Sequence, residues 1–301
     1  MRFDLGEVIT AMVTPMTETG SVDYDKVEKM VEHLSKNGSD SIVITGTTGE
    51  SPTLTHDEEL KILEHAKKVI PSNCKLIMGT GSNSTDTAVE MSKKAQEGGV
   101  DAILCVVPYY NKPSQQGMIE HFSAIAEAVD VPIILYNIPS RTGVNMLPET
   151  VQYLAEKYEN IVALKQSYAD MDTITELKRI CPKDFIILSG DDSLTLPMLS
   201  LGANGVISVA SHVFGKEIKK MITEFKKGNV ESARVIHSNL YPAFRKLFMA
   251  PNPVPVKTVL AAMGLIEPQV RRPLTMMNDA DKKVLLETID NTKSSLVGLL
   301  K

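Results

Sequence analysis

Lys165 is the residue of this chain best suited to covalent chemistry. Four apolar residues, Ile161, Val162, Ala163 and Leu164, run straight into it, and Gln166 and Ser167 follow. An apolar run of that length, bounded by polar residues, reads as a strand buried on both faces. The lysine then stands at the strand's end with its stem in apolar surroundings. Burial disfavours an ammonium and so favours the free amine. A neutral amine can attack a carbonyl carbon and form a Schiff base. Other reactive groups also follow apolar runs: Thr47 and Thr48, Tyr109 and Tyr110, Tyr136 with nearby Arg141, and Asp191. Together they hold the parts of a carbonyl condensation. A tyrosine can move protons during imine formation. Threonine hydroxyls and the amides of a glycine-flanked turn can hold a carboxylate. An arginine can grip a second carboxylate with two parallel hydrogen bonds. Each has a plainer reading when taken singly. A strand-end lysine can snorkel to the surface, Gly46-Thr47-Thr48-Gly49 can be only a turn, and Tyr136 can be core with a satisfied hydroxyl. Tyr109-Tyr110 can be packing or an interface anchor, and Arg141 a loop surface residue. Their recurrence at successive strand ends points to one site.

The elements that must position these residues alternate. Apolar runs at residues 8–13, 42–44, 76–78, 102–107, 133–135, 161–164, 185–188 and 205–209 read as strands. Helical faces lie between them. Val27, Met30, Val31 and Leu34 recur at i, i+3, i+4 and i+7 and are closed by Asn37-Gly38. Thr55 with Glu58 is a capping-box pattern opening the next helix. Eight strand-then-helix units in about 225 residues is the count of an α/β fold of the (β/α)8 TIM-barrel type, whose reactive residues gather at the C-terminal ends of the strands. An open doubly wound sheet ranks lower, because no Gly-x-Gly-x-x-Gly turn follows the first strand. From about residue 216 helical faces follow one another without strands. The chain is therefore read as a catalytic barrel, residues 1–225, and a C-terminal helical extension, residues 226–301. Pro251, Pro253 and Pro255 mark a stiff turn inside that extension.

Composition narrows the partners. The chain has 301 residues, 43% of them apolar and 23% charged, with 32 basic against 37 acidic residues and a net charge of −5. With no basic block, nucleic acid is not an expected partner. No run approaches the ~20 apolar residues that span a bilayer, so no membrane partner is expected either. No signal-peptide pattern stands at the N-terminus. Cys74, Cys105 and Cys181 are odd in number and lack zinc or redox spacing. The expected setting is cytoplasmic and reducing. Asp191-Asp192 could join a metal site, but no third ligand stands at suitable spacing, and the six histidines do not pair on one face. No metal or organic cofactor is expected.

With those residues in place, a resemblance is evident. Gly46-Thr47-Thr48-Gly49-Glu50-Ser51, Pro108-Tyr109-Tyr110-Asn111-Lys112-Pro113, Tyr136-Asn137-Ile138-Pro139-Ser140-Arg141-Thr142-Gly143, Lys165 and Ser189-Gly190-Asp191-Asp192 resemble the motifs of the 4-hydroxy-tetrahydrodipicolinate (dihydrodipicolinate) synthase family. These are pyruvate-dependent class I aldolases of lysine (diaminopimelate) biosynthesis. The match is collinear from about residue 5 to 275. It implies that Lys165 forms a Schiff base with pyruvate and that Tyr136 relays protons. It implies that Thr47 and Tyr110 complete the relay, Tyr110 reaching in from a neighbouring subunit of a homotetramer or homodimer. Thr48 would bind the pyruvate carboxylate and Arg141 that of L-aspartate 4-semialdehyde, with Ile207 and Gly190 also at the substrate. Gln166-Ser167 depart from the acidic residue and alanine of many synthases, and lysine followed by glutamine is similar to the sister N-acetylneuraminate lyase. That lyase lacks an arginine at the position of Arg141, so the synthase is the favoured reading and a sister Schiff-base aldolase the alternative. His56, Asn83 and Tyr109 match the family's allosteric lysine pocket. Thr87 replaces a glutamate of lysine-sensitive members and Glu59 also departs, which implies weak or absent inhibition by L-lysine.

Overall fold

A computed structural model describes residues 3–298. Eight parallel strands close into a barrel in chain order: β1 (Val8–Ala11), β2 (Ser41–Ile44), β3 (Lys75–Gly79), β4 (Ala102–Val106), β5 (Ile133–Asn137), β6 (Ile161–Gln166), β7 (Ile186–Ser189) and β8 (Gly205–Ser208). The helices are α1 (Tyr24–Lys36), α2 (His56–Val69), α3 (Thr85–Glu97), α4 (Gln115–Ala128), the single turn α5 (Pro139–Thr142), α6 (Pro148–Lys157), α7 (Met171–Ile180), α8 (Thr195–Ser200), α9 (Ser211–Lys226), α10 (Val230–Lys246), α11 (Val254–Ala262) and α12 (Asp279–Leu296). The expected TIM barrel is the observed fold, with every anticipated strand present within two or three residues. Residues 299–301, where the last helical run was expected to finish, lie outside the described residues.

Strand parity divides the core in two. Ile42 and Ile44, Leu76 and Met78, Ile103 and Cys105, Leu135 and Leu164 point outward and pack beneath the helices. Val43, Ile77, Leu104, Ile134, Tyr136, Ala163, Leu188 and Ile207 point inward and fill the barrel. Successive strand residues face opposite sides, so Lys165, two beyond Ala163, belongs to the inward set. A closed barrel leaves no edge strand unpaired, and its interior is packed rather than open.

Local signals set the helix ends. Thr55 Oγ1 accepts from the Glu58 amide at 3.2 Å, and Glu58 Oε2 accepts from the Thr55 amide at 2.9 Å. The expected capping box is therefore made. Val27, Met30, Val31 and Leu34 form the buried face of α1. Gly38 follows with φ +98°, and a Cβ there would lie 2.7 Å from the Gly215 carbonyl. Both facts restrict the position to glycine. Beyond the barrel, α10 packs on α9 and α12, and α11 packs on α12 and α9. This brings the turn before α11 up to the C-terminal mouth of the barrel, as the contacts below show.

Candidate active site

Parallel pairing of β5 with β6 sets Tyr136 beside Lys165, and β7 sets Leu188 on its other side. The Lys165 amine lies 4.1 Å from the centroid of the Tyr136 ring. Lys165 is only 7% exposed, and among the described residues no carboxylate pairs with it. The contact over the ring face is favourable. Gly190 stands two residues beyond Leu188. A Cβ there would lie 3.1 Å from Lys165 Cε and collide with Ser167 Oγ. Glycine therefore leaves room for the lysine stem. The Gly190 amide itself donates to the Gln166 carbonyl at 2.8 Å, so it is already engaged.

A small cavity, about 40 Å³, opens over this pair. Thr47, Thr48, Tyr136 and Lys165 line it together with Gly79, Gly81 and Val106. Four of the residues singled out in the sequence thus converge on one space. Ile207 is buried inside the barrel on β8, beside Ile9 of β1. Two others stand apart from the cavity lining. Arg141 lies exposed on α5, its guanidinium unpaired among the described residues. Tyr110 is 88% exposed and has φ +73°, a conformation uncommon for a bulky residue. Asn111 Nδ2 donates to the Asn83 carbonyl at 2.8 Å and ties this loop to the one before α3. Asp191 and Asp192 are structural. Asp191 caps the following turn through the Ser193 amide and hydroxyl. Asp192 accepts from the Ser208 hydroxyl and the amides of Val209 and Ala210, and burial raises its pKa to about 6. Among the described residues no group of three His, Cys, Asp or Glu side chains is placed to hold a metal. The three cysteines are buried and free. A larger cavity, about 900 Å³, lies at the opposite end of the barrel around Asn160, Ile161, Phe185 and Ile186. None of the strand-end reactive residues picked out in the sequence lines it, so size does not mark the site.

The loop carrying Thr47 and Thr48 is held from the C-terminal extension. Glu50, in the left-handed region at φ +61°, points away from the cavity into the protein. Its Oε1 accepts from Lys257 Nζ of α11 at 2.6 Å, and its Oε2 from the Arg271 amide at 2.9 Å. Lys257 also donates to the Gln269 carbonyl at 2.7 Å. The pair is almost entirely buried. Desolvation pulls the Lys257 pKa below its usual value while Glu50 opposes the fall. Arg271 adds two hydrogen bonds to Glu58 and others to the Thr53 and Gly20 carbonyls, and this guanidinium lowers the Glu58 pKa to about 2. Thr14 donates to the Gly49 carbonyl at 2.6 Å. Thr48 Oγ1 accepts from Asn252 Nδ2 at 2.9 Å. Sequence reasoning did not find Asn252, Lys257 or Arg271. The available signal was Lys257 itself, a lone charge inside the apolar run Val254-Pro255-Val256-Lys257-Thr258-Val259-Leu260, which demands a partner.

Residues 4–292 match the sequence profile of the Dihydrodipicolinate synthetase family. The chain belongs to that family. It is 48% identical to the 4-hydroxy-tetrahydrodipicolinate synthase of Desulforamulus reducens, over 97% of this chain and 98% of that one. It is 46% identical to that of Bacillus subtilis, over 95% and 99%. Among solved structures it is similar to a dihydrodipicolinate synthase from Cyanidioschyzon merolae with lysine bound. The TM-score is 0.94 at 47% identity, covering 96% of this chain and 98% of that one.

A second cleft, which shares Ser51, Gly79 and Gly81 with the cavity over Lys165, is lined by His56, Glu59, Thr87 and Tyr109, with Ser82 and Met91. Burial raises the Glu59 pKa to about 8, so its carboxyl is mostly neutral at pH 7.

Two predictions test these charges. Glu50→Gln should cost about 3–5 kcal/mol of unfolding free energy by stranding the Lys257 charge. Glu50→Gln combined with Lys257→Met should recover much of it in denaturant titrations. An equally deep loss in the double variant would show that the two charges are not coupled. Glu59 binds its proton more tightly in the folded chain than in the unfolded one, where a glutamate titrates near ~4.3. It therefore destabilises the fold progressively as pH rises from about 4 to about 8. Glu59→Gln should remove that slope, so its stability advantage over the parent should grow across this range and then level off. A pH-independent difference between the two would refute the assignment.

Proposed function

We propose that this chain is a Schiff-base lyase that condenses pyruvate with L-aspartate 4-semialdehyde to give 4-hydroxy-tetrahydrodipicolinate, in lysine (diaminopimelate) biosynthesis. The observation that carries the proposal is the buried, anion-free Lys165 amine stacked on Tyr136 within the cavity lined by Thr47 and Thr48. The relatives from Desulforamulus reducens and Bacillus subtilis, both synthases of this name matched over nearly their full length, support it over an N-acetylneuraminate lyase activity.

The chemistry follows from the residues. The Lys165 amine adds to the ketone carbon of pyruvate. Loss of water gives the imine, with Tyr136 passing the protons. The positive imine nitrogen acidifies the methyl group, and removal of one methyl proton gives the enamine. The enamine carbon attacks the aldehyde carbon, forming the new carbon–carbon bond, and the aldehyde oxygen is protonated. The product's own amine then attacks the imine carbon, closes the ring and expels Lys165. Thr48 is the hydroxyl assigned to the pyruvate carboxylate. Arg141, unpaired at the rim, suits the carboxylate of the semialdehyde. Thr47 and Tyr110 are assigned to the proton relay with Tyr136. Tyr110 is exposed and held in a left-handed conformation, which suits a side chain presented to a second copy of the chain. A homotetramer or homodimer is therefore part of the proposal. No helix among the described residues is long and apolar enough to cross a membrane, in keeping with the cytoplasmic location proposed here.

Three measurements test this reading. Turnover of pyruvate and the semialdehyde, coupled to an NADPH-dependent reductase, should vanish in Lys165→Ala, as should trapping of pyruvate by borohydride. Arg141→Ala should retain trapping but lose semialdehyde affinity by roughly one to two orders of magnitude. Trapping that survives in Lys165→Ala would place the nucleophile elsewhere. L-lysine should inhibit weakly, because Thr87 supplies no carboxylate and Glu59 is largely neutral near pH 7. Inhibition at micromolar L-lysine would overturn that part.

A further inference from the structure

Among the described residues, Asn252 is the one residue of the C-terminal extension whose side chain hydrogen-bonds to a hydroxyl of the cavity lining. It sits in the turn between α10 and α11 and is 8% exposed. Its Nδ2 donates to Thr48 Oγ1 at 2.9 Å, across 204 positions of sequence. Its Oδ1 is buried without a hydrogen-bond partner. Thr48 Oγ1 makes no other hydrogen bond among the described residues. A hydroxyl has one proton and two lone pairs. With one lone pair taken by the Asn252 amide, the Thr48 proton has no acceptor among the described residues, and Thr48 lines the space over Lys165. A carboxylate bound there is an acceptor for that proton. A buried amide oxygen left unpaired is costly, which suits a side chain kept for its donor.

We propose that Asn252 is a positioning residue for the carboxylate of the 2-oxo acid, acting through Thr48. It keeps the threonine hydroxyl in the donor state and aims its proton at the substrate. The C-terminal extension thereby enters the substrate site at a single atom pair, while Lys257 and Arg271 hold the loop from behind. The proposal rests on Thr48 being the carboxylate donor, as assigned above.

Asn252→Asp tests the direction of the hydrogen bond. The shapes match, but an ionised aspartate only accepts. It would take the Thr48 proton and set a negative charge near the substrate carboxylate. Borohydride trapping at graded pyruvate measures half-saturation without the aldehyde, and the coupled assay gives kcat and KM. Half-saturating pyruvate should rise at least about tenfold, the scale of one charge-assisted hydrogen bond. It should rise further as pH increases and the aspartate ionises, whereas kcat should change far less. The effect of Asn252→Asp should shrink in a Thr48→Val background to the charge repulsion alone, the part that grows with pH. Unchanged pyruvate saturation, or an equal defect with and without Thr48, would overturn the proposal. So would a fall in kcat with KM unaltered. Should Asn252→Asp fail to fold in thermal unfolding, Asn252→Leu removes the donor at similar size, and half-saturating pyruvate should then rise without a dependence on pH. If Thr48→Val alone leaves pyruvate saturation intact, the carboxylate assignment of Thr48 fails, and the Asn252 proposal falls with it. That outcome is separate from one in which Thr48 matters and Asn252 does not.

Discussion

The buried ion pair between Glu50 and Lys257 is the constraint on which the site's geometry depends. The partners are 207 positions apart and meet at 2.6 Å in a region closed to water. Neither charge can be left alone there, because desolvation costs several kcal/mol per ion and only the partner and its hydrogen bonds repay it. Moving the loop of residues 46–51 would separate the charges. The loop therefore stays fixed even though Thr45 and Glu50 both hold positive φ, a conformation that costs non-glycine residues free energy. What is fixed with it is the position of Thr47 and Thr48 over the lysine.

The lysine is placed by a different rule. In a closed parallel barrel every strand alternates between an inner and an outer face. Ala163 faces inward, and so must Lys165. Register with β5 then puts Tyr136 against it. The amine is accordingly held by backbone pairing on both sides rather than by a salt bridge. The glycine at 190 makes the remaining room, since any Cβ there would meet the lysine stem and Ser167.

The rim is organised more loosely than the floor. Thr48, Tyr136 and Lys165 are buried, whereas Arg141 and Tyr110 stand in solvent. This division matches a site that holds a small 2-oxo acid deep in the mouth and receives a second, charged substrate from outside. Gln166, on the outer face of β6, joins Asn137 at 3.0 Å in a buried amide network that includes Asn145. It therefore supports the strands behind the lysine rather than contacting the cavity.

The sequence by itself determined the alternation of strands and helices, the capping box at Thr55, and the set of reactive residues at the strand ends. These are local facts. Apolar period, cap chemistry and glycine placement act over a few residues, and a barrel reads its active face from the ends of its strands. Lys165, Tyr136, Thr47 and Thr48 were all legible in this way. Only the tertiary structure decided which of the candidates meet. It placed Thr47, Thr48, Tyr136 and Lys165 on one cavity, left Tyr110 and Arg141 outside its lining, and turned Asp191 and Asp192 to capping backbone amides. It alone revealed Asn252, Lys257 and Arg271. Their partners, Thr48, Glu50 and Glu58, lie about 200 positions away, and no local periodicity encodes a contact across that distance. The apolar run around Lys257 announced that a charge was buried; packing of the extension against the barrel mouth decided what neutralised it.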